Sequence, residues 1–259
     1  MWPFKSKPVL NKYGWNPDLP DHRDFMFKDV VAPTVALPTS VDLRKNCPPV
    51  VDQGDLGSCT ANALSSAIGF LDIKDLKLFN PFSRLFIYYN ERALEGTVKQ
   101  DSGAQIRDGI KTLASQGVCF EVLWPYNITR FTQKPSSSCY SLAKPHKAMT
   151  YSRLITLNDM KSCLAAGFPF VFGFTVYESF ESDAVAKTGI VPIPGQSESV
   201  LGGHAVMACG YDDKTQMVLV KNSWGTGWGQ QGYFQLPYAY ISNQNLATDM
   251  WTIRKTVSE

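Results

Sequence analysis

The sequence predicts an α+β protein built as two lobes, and three observations carry that prediction. From about residue 50 to 145, apolar residues recur at helical spacing. From about residue 146 to 250, short β-rich runs follow one another, each bounded by Gly, Pro, Asp or Asn. The change happens once, near Ala148, and helices followed by strands is the order of an α+β chain. With 259 residues, 44% of them hydrophobic, the chain can bury a sizeable core in one large domain or two closely packed lobes.

The elements follow in order. Residues 1–37 are rich in Pro and Asp and lack apolar periodicity, which predicts an extended arm. Its aromatics, Trp2, Trp15, Phe25 and Phe27, predict that the arm packs on the remainder, residues 38–259. A first helix starts near Cys59, with Ala63, Leu64, Ala67, Ile68 and Leu71 at helical spacing after a turn loosened by Gly54 and Gly57. A second covers Ser83 to Leu94. A third runs from Ala104 to Ser115, with Ile106, Ile110, Leu113 and Ala114 on one face and Gly117 as its stop. WPYNITRFTQKPSSSC reads as a loop and holds a glycosylation-type triplet at Asn127, a frequent chance occurrence. Then come a strand in AMTYSRLI, a short helix over Leu157 to Ala165, and strands in FPFVFGFTV, HAVMACGY, QMVLVKNSW, GYFQL and MWTIR.

Composition excludes several classes. A net charge of +2 gives no electrostatic footprint for nucleic acid. No run of eighteen apolar residues exists to span a membrane. The opening MWPFKSKPVLNKYGW lacks the apolar core of a secretory signal, which leaves the protein intracellular or exported by a route the sequence does not display. The cysteines, Cys47, Cys59, Cys119, Cys139, Cys163 and Cys209, form no C-x-x-C pair, so neither a zinc site nor a dense disulfide framework is expected. No metal or other cofactor is implied, and a monomer is expected.

Candidate chemistry gathers at four positions. Cys59 sits at a predicted helix start, where the helix dipole favours a thiolate. His204, in VLGGHAVMACGYDD, stands at the mouth of a strand. Asn222 follows eighteen residues later in a Trp- and Gly-rich segment, where Trp224 can shield a polar contact from water. An imidazolium beside a helix-start thiol lowers its pKa to roughly 3–4, and an amide accepting the other ring N–H fixes the imidazole without adding charge. The Cys59 N–H and the Gln53 amide, across the Gly-rich turn, are two donors for a developing oxyanion. His22 and His146 read as arm and loop residues, and the other cysteines as structural.

QGDLGSC, GGHAVMACGYDD and above all KNSWGTGWGQQGYF resemble the active-site motifs of papain-like cysteine peptidases, and LPTSVDLRKN resembles the start of the mature enzyme. The order Gln, Cys, His, Asn matches, and the similarity covers the chain from about residue 37 onward. The resemblance implies a papain-like fold with a helical left lobe, a β-barrel-like right lobe and an active site in the cleft between them. It implies Cys59 as nucleophile, His204 as general acid/base, Asn222 as the residue orienting it, Gln53 as the oxyanion amide and Trp224 over the Asn–His contact. Ser102 and Gly103 match the pair whose backbone binds an extended peptide. Gly173 and Ala205 fall where the family lines its main specificity pocket, for the side chain second on the acyl side of the cut. Asp249 falls near the pocket floor, where a carboxylate favours Arg or Lys; the competing reading is a solvated surface carboxylate.

The sequence also departs from the family pattern. Thr60 stands where an aromatic usually follows the nucleophile, and Leu56 replaces a disulfide cysteine. Cys139 occupies a family disulfide position whose usual partner region, NERALEGTVKQDSGA, has no cysteine, and Gly203 stands where papain has an aspartate. The arm is shorter than the usual pro-segment, lacks its charged helical pattern, and resembles the leaders of bacterial members; it is expected to lie over the cleft and restrain activity. Two functions follow from the resemblance: a thiol endopeptidase acting on peptides or proteins, or a catalytically silent peptide-binding relative.

Overall fold

The computed structural model describes residues 13–30, 36–76 and 79–256. Trp2 lies outside them. Eight helices, α1 (Phe27–Val30), α2 (Cys59–Leu76), α3 (Arg84–Glu95), α4 (Ile106–Gln116), α5 (Ser137–Ala143), α6 (Leu157–Ala165), α7 (Asp183–Thr188) and α8 (Tyr238–Ile241), accompany seven strands among the described residues. The strands are β1 (Ser40–Asp42), β2 (Ala148–Leu154), β3 (Phe170–Tyr177), β4 (Val200–Asp212), β5 (Met217–Lys221), β6 (Tyr233–Pro237) and β7 (Ala247–Thr256).

α2 is the central element. Its first thirteen residues are almost all buried, because small residues (Ala61, Ala63, Ser66, Ala67, Gly69) interleave with Leu64, Ile68, Phe70 and Leu71 around the whole circumference. A helix apolar all round belongs inside a protein. α3 and α4 pack beside it and complete the helical lobe. Ser83 caps α3 by accepting from the Phe86 N–H, and Gly96 ends that helix at φ +76°, a conformation that glycine adopts without steric cost. α6 starts on a capping box between Thr156 and Asp159.

The strands form one antiparallel sheet in the order β2-β7-β3-β4-β5-β6, with β1 beside β4. The expected β-barrel-like closure is absent; the sheet stays open. α5 forms where the sequence reads as loop: Cys139 and Ala143 are its buried residues, too short an apolar pattern to recognise. The register is what matters for the site. β4 sets His204 opposite Phe174 and Ala205 opposite Gly173 on β3, and Gly173 faces Thr248 on β7. One row thus brings Gly173, Ala205 and Thr248 together, with Asp249 next along β7, although they are distant in sequence.

Within the described residues 13–30, the arm is extended apart from the single turn of α1. Its packing is uneven: Trp15 and Phe27 are buried while Phe25 is 62% exposed. An ion-pair cluster clamps it to both lobes. Asp24 receives Arg107 of α4 at 2.6 Å and Arg153 of β2 at 2.9 Å, and all three side chains are largely buried. Arg153 also donates its backbone N–H to the Phe25 carbonyl, at 2.7 Å. Removing one partner from a buried charge cluster leaves the others uncompensated. Asp24→Ala is therefore expected to cost about 3–5 kcal/mol in denaturant unfolding, or to release the arm, seen as rapid tryptic cleavage at the exposed Arg23.

Candidate active site

Cys59 is the first residue of α2 and is fully buried. The turn before it is held from several sides. Gln53 donates from Nε2 to the Leu56 carbonyl (3.0 Å), and the Tyr126 hydroxyl donates to the Gln53 carbonyl (2.9 Å). Arg84 lies over the Tyr126 ring and donates to the Asp52 carbonyl at 3.1 Å. Across the cleft, the backbone amide of Ala205, the residue after His204, hydrogen-bonds the Cys59 sulfur, as do the amides of Thr60 and of Gly14 from the arm.

His204 is held by Asn222: Nε2 lies 2.8 Å from Oδ1. The same Oδ1 accepts the Ser223 N–H at 2.8 Å, which fixes the amide orientation, so Nε2 carries the hydrogen and Nδ1 of the neutral ring carries the lone pair. Nδ1 has no hydrogen-bond partner among the described residues. Trp224 stacks on the imidazole, with ring centres 4.8 Å apart at 28°. Ser223 is a residue the sequence reading overlooked. Its Oγ donates to Gln53 Oε1 at 2.7 Å while its N–H serves Asn222, so one residue positions both amides.

The arm runs through the cleft. Tyr13 meets His204 edge-on at 6.3 Å, and its hydroxyl donates to Glu181. Gly14 is pressed between Gly57 and Gly103; a Cβ on it falls 1.8 Å from the Gly57 carbonyl oxygen. Trp15 donates its N–H to the Gly203 carbonyl (3.0 Å), Ala104 donates to the Gly14 carbonyl (2.8 Å), and Asn16 donates to the Ala104 carbonyl (3.0 Å). The ladder partner is therefore Ala104, one residue beyond the Ser102–Gly103 pair. Ser102 contributes only its carbonyl, to the Asn16 side chain at 3.0 Å, and the Gly103 N–H donates to the Tyr88 hydroxyl at 3.2 Å. Gly103 instead supplies room, because a Cβ there falls 2.2 Å from the Gly14 oxygen.

The Trp15 indole fills the pocket made by Gly173, Gly203 and Ala205. Asp249, at 1% exposure, is no surface carboxylate. Its Oδ2 accepts the Trp15 indole N–H (3.2 Å) and the Asp18 N–H (2.7 Å), and Oδ1 is ion-paired to Arg153 at 2.8 Å. It holds this position with φ +57°.

Under this cover the chemistry is muted. Burial pushes the Cys59 thiol up to about 12, against the pull of the Ala205, Gly14 and Thr60 amides. Burial pushes the His204 imidazole down to about 4, opposed by its bond to Asn222. Both directions favour neutral thiol and neutral imidazole, not the ion pair that the sequence chemistry anticipates, because both groups are fully buried away from the water that solvates charge. All six cysteines are free thiols; Cys47 donates to the Leu43 carbonyl at 3.7 Å and Cys139 to the Leu123 carbonyl at 3.7 Å.

A family model described as Papain family cysteine protease matches residues 37–253. The chain belongs to the papain family of cysteine proteases. Xylellain, a cysteine protease from Xylella fastidiosa, superposes with a TM-score of 0.87 at 45% identity, over 95% of this chain and 96% of that one. An uncharacterized peptidase C1-like protein of Acanthamoeba polyphaga mimivirus is 43% identical over 96% of this chain and 89% of its own length. Mouse pro-cathepsin H is 31% identical over 76% of this chain and 59% of its own length. The fold of this papain-family protease is accordingly the two-lobe α+β architecture its motifs announce.

Behind the helix start of this cysteine protease lies Glu91, fully buried, accepting the Thr60 hydroxyl on Oε2 at 2.8 Å with Oε1 unpartnered. Burial raises its pKa from 4.5 to about 8, with Thr60 opposing. A carboxyl whose folded pKa is raised makes the fold lose stability as pH climbs from its unfolded pKa to its folded one. Glu91→Gln removes that slope, so thermal denaturation is expected to show the variant gaining several degrees over the parent at pH 8 and little at pH 5. Its Cys59 thiol, relieved of a nearby negative charge, is expected to alkylate no more slowly than the parent's.

Proposed function

We propose that the chain is an endopeptidase whose nucleophile is Cys59 and whose N-terminal arm keeps it latent. The observation that carries this reading is the passage of the arm across Cys59. A continuous peptide crosses the sulfur from Tyr13 to Asn16, with chain on both sides, so the cleft accommodates a polypeptide interior. In the cycle, the Cys59 thiol gives its proton to His204 Nδ1 and its sulfur attacks a peptide carbonyl while the Cys59 N–H and Gln53 Nε2 hold the oxyanion. His204 protonates the leaving amine, then activates water to release the acyl group, with Asn222 keeping its Nε2 proton in place.

The arm sits in a form that this chemistry does not cleave. The Gly14 carbonyl accepts from the Ala104 N–H and is thereby engaged away from the Cys59 amide. Trp15 and Ala104 form a parallel bridge, and the Gly14 N–H lies toward the sulfur. Restraint therefore has two parts: the substrate site is filled, and burial removes the thiolate.

Disrupting the fit at Gly14 and Trp15 is the direct test. The full-length double variant Gly14→Ala/Trp15→Ala is expected to hydrolyse fluorogenic peptides at least about tenfold faster than the parent, since a methyl at Gly14 has no room and the indole anchor is lost. Iodoacetamide should label Cys59 of the double variant at pH 6.5 and the parent only slowly. Adding Cys59→Ala should abolish hydrolysis with the fold retained by circular dichroism. An equal rate for parent and double variant refutes latency. Absence of both turnover and a stoichiometric epoxysuccinyl adduct at Cys59 refutes the peptidase reading and favours a silent peptide-binding relative.

A further inference from the structure

We infer that the pocket holding Trp15 selects substrates carrying a neutral aromatic side chain with a hydrogen to donate, tryptophan above all, and that the Arg153–Asp249 pair sets this choice. The inference rests on the peptidase reading and specifies its substrate class. It runs against the expectation that Asp249 attracts Lys or Arg.

Shape comes first. β3 and β4 leave the pocket walls bare at Gly173 and Gly203: a Cβ at the former falls 1.9 Å from Trp15 Cε2, and one at the latter 2.7 Å from Cε3. The remaining wall is the methyl of Ala205, opposite Gly173 in the strand register. A slot cut this closely to an indole is oversized for a branched aliphatic side chain and leaves it poorly packed.

Charge decides the rest. Asp249 is not an unpaired carboxylate awaiting a cation. Arg153 pairs with its Oδ1 at 2.8 Å and stays when the arm tip leaves, because β2 carries it and β7 carries Asp249. The pocket floor is therefore neutral as a pair. The arm itself contributes Asp18 and Asp24, which engage Arg107 through its N–H at 3.1 Å and its guanidinium at 2.6 Å. If those aspartates withdraw with the arm, Arg107 and Arg153 outnumber Asp249, and a cationic side chain enters against net positive charge. If they stay, the floor remains neutralised. In both cases a guanidinium or ammonium meets no unpaired negative charge to offset its desolvation. Oδ2 of Asp249 loses the Trp15 indole N–H whenever the tip leaves, and the Asp18 N–H too if Asp18 goes with it, and a buried acceptor that loses a donor is costly. A substrate side chain that restores that donor is favoured over one of equal bulk that cannot.

The test uses the full-length Gly14→Ala/Trp15→Ala protein and a series of fluorogenic peptidyl amides. The residue at the scissile carbonyl is held constant and the one before it is Trp, Tyr, Phe, 1-naphthylalanine, Leu or Arg. We expect kcat/KM for Trp to exceed that for 1-naphthylalanine, which matches its bulk without the N–H, by about tenfold. Arg should fall at least about tenfold below Trp. Arg153→Gln in the same background should move the Arg-to-Trp ratio toward Arg. Equal rates for Trp and 1-naphthylalanine, or Arg matching Trp, overturn the inference while leaving the peptidase intact. Calorimetric binding of the same peptides to the Cys59→Ala form of the opened protein supplies the ranking without chemistry. A Trp preference there with no turnover in the parent cysteine form sinks the peptidase reading alone.

Discussion

The site depends on the first turn of α2 lying against β4. That contact joins a helical lobe to a sheet and brings the Ala205 amide to the Cys59 sulfur, one residue from the imidazole. Ser223 extends the joint by tying Gln53 of the turn to Asn222 beside the sheet. Two effects compete at the sulfur. A helix N-terminus stabilises an anion by about 0.3–2 kcal/mol. Lifting a thiol from 9.0 to about 12 corresponds to roughly 4 kcal/mol. Burial outweighs the dipole and the amides around the sulfur, and the thiol stays neutral. On the proposed latency, the same geometry gives a silent thiol or a reactive one according to what lies above it.

What lies above it is held by few atoms in the right places. The arm tip contributes one short parallel ladder on Ala104, one aromatic in a slot and another against His204. Behind it, Asp18 and Asp24 reach into a cluster of Arg107, Arg153, Asp249 and the Trp251 indole, which donates to Asp18 at 2.9 Å. These charges are buried and mutually satisfied, so the cluster adds little net stability but punishes the loss of any member. That property suits a clamp: it is indifferent in place and costly half-made.

Much of this could be read from the letters, and the limits are physical. The helix starting at Cys59, the capped helix after Ser83 and the short helix over 157–165 follow from spacing and caps that act locally. Gln53, Cys59, His204 and Asn222 stood out as candidates because motif and chemistry agree, and the structure ties Gln53 and Asn222 together through Ser223. Ser223 stood in a quoted motif, yet its two bonds depend on tertiary approach, which no local pattern announces. The shift from Gly103 to Ala104 is a register of one residue, below the resolution of motif matching. Asp249 is the harder case, because neither its burial nor its partners can be read from its own segment. The β7–β3 pairing sets the neighbouring Thr248 opposite Gly173, burial pushes the Asp249 carboxyl up to about 6, and Arg153, 96 positions away, opposes that rise. A carboxylate read alone predicts attraction for cations; the same carboxylate with its partner does not.

The pocket's double use constrains how such a protease can be switched on. Trp15 is tethered nine residues from Asp24, and a short tether presents its ligand at an effective concentration of the order of millimolar. A free peptide, even one whose side chain fits the slot as well as an indole, meets that concentration as a competitor and has to displace the Gly14 ladder as well. Substrate binding alone is therefore a weak opener. Loosening the clamp acts differently: breaking the Asp24 pairs lengthens the tether and lowers the local concentration of Trp15 without touching the pocket. On the proposed latency, opening belongs to the ion-pair cluster and selection to the slot, and Asp249 links the two because one of its oxygens faces Arg153 while the other faces the indole.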